Sequence, residues 1–320
     1  MQPTQAVIGI DLGGTFTKIG IVDAFGNFLA LERFPTLADQ PFPVFLDELR
    51  AVFSEMKDQL SPDVELLLAG VGAPDTNCFT GIMENPPNFN WGEIVPLAQG
   101  LSEVLKVPVH VNNDANVAAL GEIQFGGAKG MKHFSVITLG TGVGSGFVVD
   151  GKLHIGNDGM AGEIGHTIAI RHGRLCKCGL NGCLEQYASV TGIRKSVQFL
   201  LEAKDTPSVL RKYDFEDLTG KAINDAALAS DPIALEAFEF TGEMLGYKLA
   251  EMVAYFNPEA IFLTGGLAKA GIFILEPTLK HLEANLLHIF HGRVKLLISE
   301  LVDKEGAVLG AAALAWQKVL

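Results

Sequence analysis

The chain has 320 residues, 48% of them hydrophobic, and its 24 basic and 37 acidic residues give a formal net charge of −13. This charge repels a phosphate backbone and argues against sequence-independent nucleic-acid binding. We see no leader peptide, lipidation signal or apolar run long enough to span a bilayer, and therefore expect a soluble, cytoplasmic protein without membrane contact. A length of about twice the usual domain size predicts two domains, each with its own core.

The chain opens on a strand, a glycine turn and a second strand, and this unit recurs. Residues 7–26, VIGIDLGGTFTKIGIVDAFG, resemble residues 134–152, FSVITLGTGVGSGFVVDGK, and Leu12 aligns with Leu139 at an offset of 127 (139 minus 12). In both copies β-branched residues precede a turn whose glycines permit positive φ. The repeat predicts a duplicated α/β unit with a glycine-lined cleft between the copies.

Helices and strands alternate after the first copy. Apolar residues recur at helical spacing over 45–60, and residues 65–71, ELLLAGV, are typical of a buried strand. A short strand over 107–111 then leads through Asn-Asn-Asp into a helix over 115–124. Because Asn and Asp suit the N-cap position, this pattern predicts that Asp114 lies at a strand-to-helix junction, at the mouth of the sheet.

The second half is richer in helix. Residues 187–255 are mostly helical in pattern, residues 260–264 (AIFLT) predict a strand that ends at a Gly-Gly pair, and the last fifteen residues predict a helix. The alternation of helix and strand throughout the chain indicates an α/β protein.

Three glycine turns that follow apolar strands are candidate phosphate sites. A phosphate needs several backbone N–H groups with no side chain in the way, although each turn alone is equally typical of a tight β-turn. A dinucleotide-binding motif is excluded because the segment after residues 140–144 is typical of a strand, and the Walker pattern is absent. The candidate residues are Asp11, Gly13, Gly14, Thr15, Gly140, Thr141, Gly142, Gly265 and Gly266.

Three of the four cysteines lie within eight positions, with histidines upstream. Cys176, Cys178 and Cys183 form a C-x-C-x4-C array, which suits a closed tetrahedral zinc site with either His166 or His172 as the fourth ligand. A thioredoxin-like centre would need Cys-x-x-Cys at a helix start, and a large cytosolic chain does not need disulfides. The fourth cysteine, far away in the sequence, is interpreted as an ordinary thiol.

Five motifs together resemble the ROK family of sugar kinases and sugar-responsive repressors along essentially the whole chain: IGIDLGGTFTK, VNNDANVAALGE, TLGTGVGSG, GEIGHT and CKCGLNGCLE. The resemblance implies a duplicated ribonuclease H-like fold of the actin and hexokinase type, with ATP and sugar meeting in an interdomain cleft. It implies a smaller domain over residues 1–118, completed by a C-terminal helix at about 306–320, and a larger domain over 119–305 that carries the zinc site. It makes His166 the fourth zinc ligand, and family members are commonly dimers or tetramers.

Kinase chemistry on a sugar needs a base that takes the hydroxyl proton as the γ-phosphoryl group arrives. Asp114 is the best candidate, although its residue type and position also suit an N-cap. The two roles are compatible if Asn112 or Asn113 caps the helix. Asp11 is expected to hold Mg²⁺ through water, because magnesium keeps much of its hydration shell. Lys18 lies too far along the second strand to be assigned to the phosphates.

The resemblance also supplies candidate sugar ligands. Without the motif, Glu163 and Glu185 would be interpreted as solvated surface acids. Histidine can bind metal through one ring nitrogen while the other binds a hydroxyl. The expected sugar-binding residues are Asn88, Asn113, Asp114, Glu163, His166 and Glu185. The chain has Asp75 where the family commonly has the last glycine of Gly-x-Pro-Gly, a departure near the expected sugar pocket.

These expectations favour an ATP-dependent hexose kinase of the glucokinase type that makes a sugar 6-phosphate. One alternative keeps the mechanism and changes the sugar to fructose, mannose, N-acetylglucosamine or N-acetylmannosamine. Another class is the sugar-responsive repressor, which carries an N-terminal helix-turn-helix for which the start of the first strand near Val7 leaves no room. A zinc-stabilised binding module without catalysis is disfavoured by the base candidate and the three glycine turns.

Overall fold

The computed structural model describes residues 3–86 and 88–319. The chain divides into two compact units. The first comprises Met1–Gly130, Leu153–Ala161 and Asp303–Leu320, and the second comprises Met131–Lys152 and Gly162–Val302. Within the described ranges, no helix is long and apolar enough to cross a membrane.

The first unit is built on a five-stranded sheet. Its strands are β1 (Thr4–Leu12), β2 (Phe16–Asp23), β3 (Phe28–Pro35), β4 (Val64–Gly72) and β8 (Val109–Asn112), in the order β3-β2-β1-β4-β8. A small sheet contains β5 (Thr76–Asn77), β6 (Ile82–Glu84) and β7 (Ile94–Val95). The helices of this unit are α1 (Phe42–Asp58), α2 (Leu97–Leu105), α3 (Asp114–Gln124) and α9 (Gly306–Val319).

The second unit repeats this plan. The second sheet contains β9 (Phe134–Leu139), β10 (Val143–Val149), β11 (Lys152–Leu153, whose last residue is the first of the segment Leu153–Ala161), β12 (Ala260–Thr264) and β13 (Lys295–Ile298), in the order β11-β10-β9-β12-β13. Its helices are α4 (Glu185–Ala188), α5 (Val190–Ala203), α6 (Gly220–Leu228), α7 (Pro232–Phe256) and α8 (Ile272–Asn285).

The two sheets share strand directions as well as strand order. β1 pairs antiparallel with β2 and parallel with β4, and β4 pairs parallel with β8. In the second sheet β9 pairs antiparallel with β10 and parallel with β12, and β12 pairs parallel with β13. β1 and β9 end 127 residues apart (139 minus 12), as do the starts of β2 and β10 (143 minus 16). The predicted duplicated α/β fold is therefore confirmed.

The helices α1 and α9 of the first unit show how the sequence determines packing. Phe45, Leu49, Phe53 and Met56 lie on one buried face of α1, as their helical spacing predicts. α9 packs against β1 and β4 through glycine: a Cβ on Gly9 would lie 2.4 Å from the Val308 carbonyl oxygen. Only a residue without a side chain permits this approach of helix to sheet.

Several predicted boundaries differ from the observed ones by one or two residues, among them those of the strand Val64–Gly72, predicted over 65–71. The strand predicted over 107–111 runs over Val109–Asn112 because Pro108 has no N–H to contribute to the ladder. The helix predicted to start at residue 115 starts at Asp114. The predicted strand over 260–264 has the observed bounds. The C-terminal helix is confirmed as far as Val319, and its last predicted residue, Leu320, lies outside the described residues.

Candidate active site and metal centre

Asp114 lies at the junction of β8 and α3. The N-cap of α3 is Asn113, whose side-chain oxygen accepts a hydrogen bond from the Ala115 backbone N–H at 2.9 Å. The same N–H is 2.7 Å from Asp114 Oδ1. Because Asn113 already caps the helix, the cap does not depend on Asp114, and the second oxygen of that carboxyl is left for chemistry.

Two carboxyl groups of the first unit have raised pKa values, and the charge of one contributes to the shift of the other. The Asp114 side chain is exposed to solvent, but many protein atoms surround it at longer range. The resulting desolvation raises the pKa of Asp114, and the hydrogen bond from the Ala115 N–H partly offsets this rise. Asp11, at the end of β1, is half-buried; burial first and the charge of Asp114 second raise its pKa to about 6, and Lys18 opposes the rise. The structure thus brings the base candidate and the magnesium candidate together.

The first glycine turn is held by a residue that sequence reasoning missed. The Thr36 hydroxyl donates to the Gly13 carbonyl at 2.6 Å, and its backbone N–H donates to the Thr15 carbonyl at 3.0 Å. A Cβ on Gly14 would lie 3.8 Å from the Asn88 Cβ, so the turn contacts the loop that carries this sugar candidate. No sequence signal marks Thr36, because its partners are backbone carbonyls.

Lys18 is a neighbour of this group. It stands directly opposite Asp11 in the register of β1 and β2, and it forms an ion pair with Glu305, which immediately precedes α9. Glu305 has a positive φ of 53°. The pair joins the second strand of the unit to the start of its last helix.

The glycine turns of the second unit converge on the start of α5. The Val190 backbone N–H donates to the Gly140 carbonyl at 2.8 Å, and a Cβ on Gly266 would lie 3.6 Å from Val190 Cγ2. Gly265, with a φ of 89°, lies against the backbone of Leu139. Thr141, at the tip of the turn between β9 and β10, is exposed.

Glu185 lies beneath one of these turns. The Val143 backbone N–H donates to Glu185 Oε2 at 3.3 Å, and a Cβ on Gly142 would lie 2.2 Å from the same oxygen. Its other oxygen, Oε1, is 3.7 Å from Cys176 Sγ. Glu185 therefore links the glycine turn of β9 and β10 to the cysteine cluster.

The cysteine cluster has the geometry of a metal site. One donor atom from each of His166, Cys176, Cys178 and Cys183 lies within 4.8 Å of the other three. Cys178 Sγ is 3.6 Å from Cys183 Sγ, and Cys176 Sγ is 3.7 Å from His166 Nδ1. Zn–S bonds of about 2.3 Å place tetrahedral ligand sulfurs about 3.8 Å apart, so the four residues fit zinc.

The chemistry of the donors also favours a bound cation. Cys183 is fully buried, and burial together with the thiols of Cys178 and Cys176 raises its pKa to about 12. Ionising Cys183 in this position therefore requires a cation that stabilises the thiolate. His172, the competing fourth ligand, is exposed and lies outside the cluster.

The second ring nitrogen of His166 lies near a carboxylate. His166 Nε2 is 4.0 Å from Glu163 Oε2, and the Glu163 side chain is 61% exposed. The imidazole can thus bind metal through Nδ1 and present Nε2, beside the Glu163 carboxylate, to a hydroxyl group.

The two sheets of matching topology, with a carboxyl at a strand-to-helix junction and a His-Cys cluster, define an actin-like α/β protein. The sequence pattern of the ROK family matches residues 7–318. The chain belongs to the ROK family.

Relatives within the family include kinases and repressors. A glucokinase of Halalkalibacterium halodurans is 36% identical over 307 residues, which are 95% of this chain and 93% of that protein. The ROK family glucokinase of Streptomyces griseus, solved in complex with glucose and AMPPNP, superposes with a TM-score of 0.85 at 30% identity and covers 98% of this chain and 99% of its own. The xylose repressor of Bacillus subtilis is 28% identical over 92% of this chain and 73% of its own length.

Proposed function

We propose that this protein transfers the γ-phosphoryl group of ATP to a hexose, with glucose as the preferred substrate and glucose 6-phosphate as the product. The observation that carries the proposal is Asp114, a carboxyl group at the end of β8 that is not needed as the helix cap and lies next to Asp11. The similarity to the glucokinases of Halalkalibacterium halodurans and Streptomyces griseus supports glucose as the sugar.

Asp114 is the general base of the proposed reaction. Its carboxylate takes the proton of the reacting sugar hydroxyl as that oxygen forms a bond to the γ-phosphorus. The bond from the γ-phosphorus to the oxygen that bridges it to the β-phosphate breaks, and ADP leaves with the electron pair. The proton on Asp114 then returns to solvent. The raised pKa of Asp114 makes it a stronger base than an ordinary aspartate.

The glycine turns would hold the phosphates of ATP. The glycines at 13, 14, 142, 265 and 266 have no side chain to obstruct the approach of a phosphate to their backbone N–H groups, and Thr15 and Thr141 add hydroxyl groups. Asp11 would hold Mg²⁺ through water, and the ion when bound offsets the negative charge of the phosphates.

The remaining candidates bind the sugar. Asn88 and Asn113 in the first unit, and Glu163, His166 and Glu185 in the second, would accept from or donate to its hydroxyl groups. Glu185 Oε2 accepts a hydrogen bond from the Val143 N–H, and His166 Nε2 is a donor or acceptor next to Glu163. Hydroxyl recognition by paired polar groups of this kind discriminates strongly against analogues that lack the hydroxyl.

The proposed role of zinc is structural. Four protein ligands leave no open position for an activated water, so the metal when bound cross-links the segment that runs from His166 to Cys183. This cross-link fixes the residues on either side of it, including Glu163 and Glu185. We place the protein in the cytoplasm, where thiols stay reduced and available to zinc.

The test is an assay of ADP release coupled to a panel of hexoses and amino sugars, with the phosphorylated product identified. We expect glucose to give the highest kcat/KM and glucose 6-phosphate to be the product. A kcat/KM for fructose or N-acetylmannosamine about tenfold above that for glucose would move the assignment to another sugar. Sugar binding without ADP release would instead support a regulator, the class that the xylose repressor represents.

A further inference from the structure

Arg174 ties the cysteine segment to the helices that follow it. Its Nη1 donates to the carbonyl oxygens of Gln186 and Gly192 at 2.7 and 3.1 Å, and its Nη2 donates to Ser196 Oγ at 3.1 Å. Its backbone N–H donates to the Tyr187 hydroxyl at 2.7 Å, and the guanidinium lies 4.7 Å from the centre of the Tyr187 ring. One side chain thus connects the approach to the first cysteine ligand with both α4 and α5.

The surroundings of Arg174 show that this is not an ordinary surface charge. The side chain is half-buried, and burial lowers its pKa. It borders a cavity of about 480 Å³ that is otherwise lined mainly by apolar groups, among them Tyr187, Leu200 and Phe240. No carboxylate of the described residues forms an ion pair with it, so the directional bonds to two carbonyls and one hydroxyl carry its interactions.

We propose that Arg174 is a positioning residue for Glu185, an inference that rests on the proposed function of that carboxylate in sugar binding. Arg174 lies two residues before Cys176, and its Nη1 holds the carbonyl of Gln186, the residue directly after Glu185. The guanidinium closes a connection between the cysteine segment and α4 that does not pass through the metal. Cys183 and Arg174 therefore add two constraints on the two sides of Glu185, beside the hydrogen bond that the Ser189 hydroxyl donates to the Glu185 carbonyl at 2.7 Å.

The second constraint is needed because α4 is short. It spans only Glu185–Ala188, a single helical turn, and its preceding residues have no regular structure other than isolated bridges. A bound metal would hold Cys183, which lies on the N-terminal side of the helix only. Arg174 binds the carbonyl of Gln186 and also that of Gly192 in the first turn of α5. These two bonds keep the Glu185 carboxylate beneath the Gly142 turn.

The primary test compares Arg174→Met with a matched control, Arg211→Met. Methionine keeps an unbranched apolar stem against Tyr187 and removes the donors. Arg211 belongs to the same unit and also donates to backbone carbonyls, those of Leu201, Lys204 and Thr206. We expect Arg174→Met to keep its zinc and its Kd for ATP while its Kd for glucose rises roughly 10- to 100-fold, the usual effect of removing a residue that orients a site ligand. Arg211→Met should leave the glucose Kd unchanged.

Two further measurements keep the inference testable whatever the sugar. Amide hydrogen exchange should quicken over residues 184–192 in Arg174→Met and not in Arg211→Met. Arg174→Lys should restore only part of the glucose affinity, because one ammonium group cannot reproduce the planar fork that reaches both carbonyls.

The outcomes separate the inference from the proposed function. A wild-type protein that does not bind glucose would defeat the proposed function, while the exchange data would still decide whether Arg174 holds α4. Four results would each overturn the positioning role. In Arg174→Met, they are unchanged exchange over residues 184–192, an unchanged glucose Kd although the wild type binds glucose, and a loss of ATP affinity equal to the loss of glucose affinity. The fourth is the same effect in Arg211→Met.

Discussion

Asp114 and Glu185, the two carboxyl groups most important to the proposed reaction, are positioned by different means. Asp114 follows a strand inside a sheet and starts a helix of eleven residues that Asn113 caps. Glu185 starts a helix of four residues after a segment that contains the cysteine cluster and that Arg174 joins to this helix. Under the proposed roles, a carboxyl placed by a sheet needs only the fold, whereas Glu185 needs the metal and Arg174 as well. Perturbing the region of Asp114 should therefore change kcat, and perturbing the region of Glu185 should change the Kd for glucose.

The largest effect is expected from Asp114→Asn. Asparagine keeps the size of the side chain and an oxygen for the Ala115 N–H but cannot take a proton. We expect kcat to fall by roughly 10²- to 10⁴-fold, while zinc content and glucose Kd stay unchanged. Steady-state kinetics and calorimetry on one preparation check this. A variant that retains more than about half of the wild-type kcat would show that Asp114 is not the base.

Cys178→Ser perturbs the cysteine cluster next to Glu185. Removing one thiolate should reduce the metal from about one zinc per chain to a small fraction, and it should lower the melting temperature because binding energy in a structural site is folding energy. Glucose affinity should fall roughly 10- to 100-fold through the loss of order at Glu185. Elemental analysis and thermal melts measure both effects.

Cys78→Ser is the matched control for that variant, since Cys78 belongs to the first unit and lies outside the cluster. It should keep full zinc content and full glucose affinity. Active wild-type protein that contains no zinc would refute the metal assignment.

Gly142→Ala displaces the Glu185 carboxylate and leaves the four zinc ligands in place. An alanine Cβ would lie 2.2 Å from Glu185 Oε2, so the carboxylate must move, and the displaced atom is the end of a flexible side chain. We expect a folded, zinc-containing variant whose glucose Kd rises about tenfold, or about 1.4 kcal/mol. In Gly140→Ala the added Cβ meets nothing within 4 Å, and the glucose Kd should stay at the wild-type value. Equal effects of the two substitutions on glucose affinity would contradict this geometry.

The smallest expected effect concerns stability and pH. The pKa of Asp11 is raised in the folded protein from 3.8 to about 6, so ionised Asp11 destabilises the fold above pH 6 and this cost disappears as the pH falls toward 4. Without ATP and Mg²⁺, Asp11→Asn should therefore melt a few degrees higher than the wild type at pH 8 and at nearly the same temperature near pH 4. A variant that is less stable than the wild type at pH 8 would refute this sign.

Much of the fold follows from local patterns in the sequence. The strand Ala260–Thr264 is a short apolar run that ends at glycine, and its predicted bounds are the observed ones. The repeat predicts the common topology, yet it conceals one difference: Leu12 pairs with Thr17, whereas Leu139 pairs with Val143. The first turn thus contains one more residue (17 minus 12 against 143 minus 139), which the alignment of glycines does not reveal.

The candidate site divides in the same way. The spacing of Cys176, Cys178 and Cys183 predicts the cluster because the three residues are close in sequence. The choice among three consecutive Asn and Asp residues for the cap of α3 needed the hydrogen bond of Asn113. Arg174 could not be predicted, because its partners are mostly backbone carbonyls, which every residue type provides.

Two further features depend on context that no local pattern contains. The Lys18–Glu305 pair joins residues 287 positions apart. Asp75 adopts a φ of 52°, a left-handed conformation that favours glycine, at the position where the family pattern commonly has glycine. Aspartate tolerates this conformation better than most residues, which explains how the turn survives the departure.

Phosphorus NMR of the protein mixed with glucose, ATP and Mg²⁺ follows the proposed phosphoryl transfer itself. We expect the γ-phosphate signal of ATP to disappear as the signal of glucose 6-phosphate grows in equal amount, and Asp114→Asn to slow this transfer by roughly 10²- to 10⁴-fold. Loss of ATP without glucose 6-phosphate, or the same rate in wild type and Asp114→Asn, would contradict this expectation.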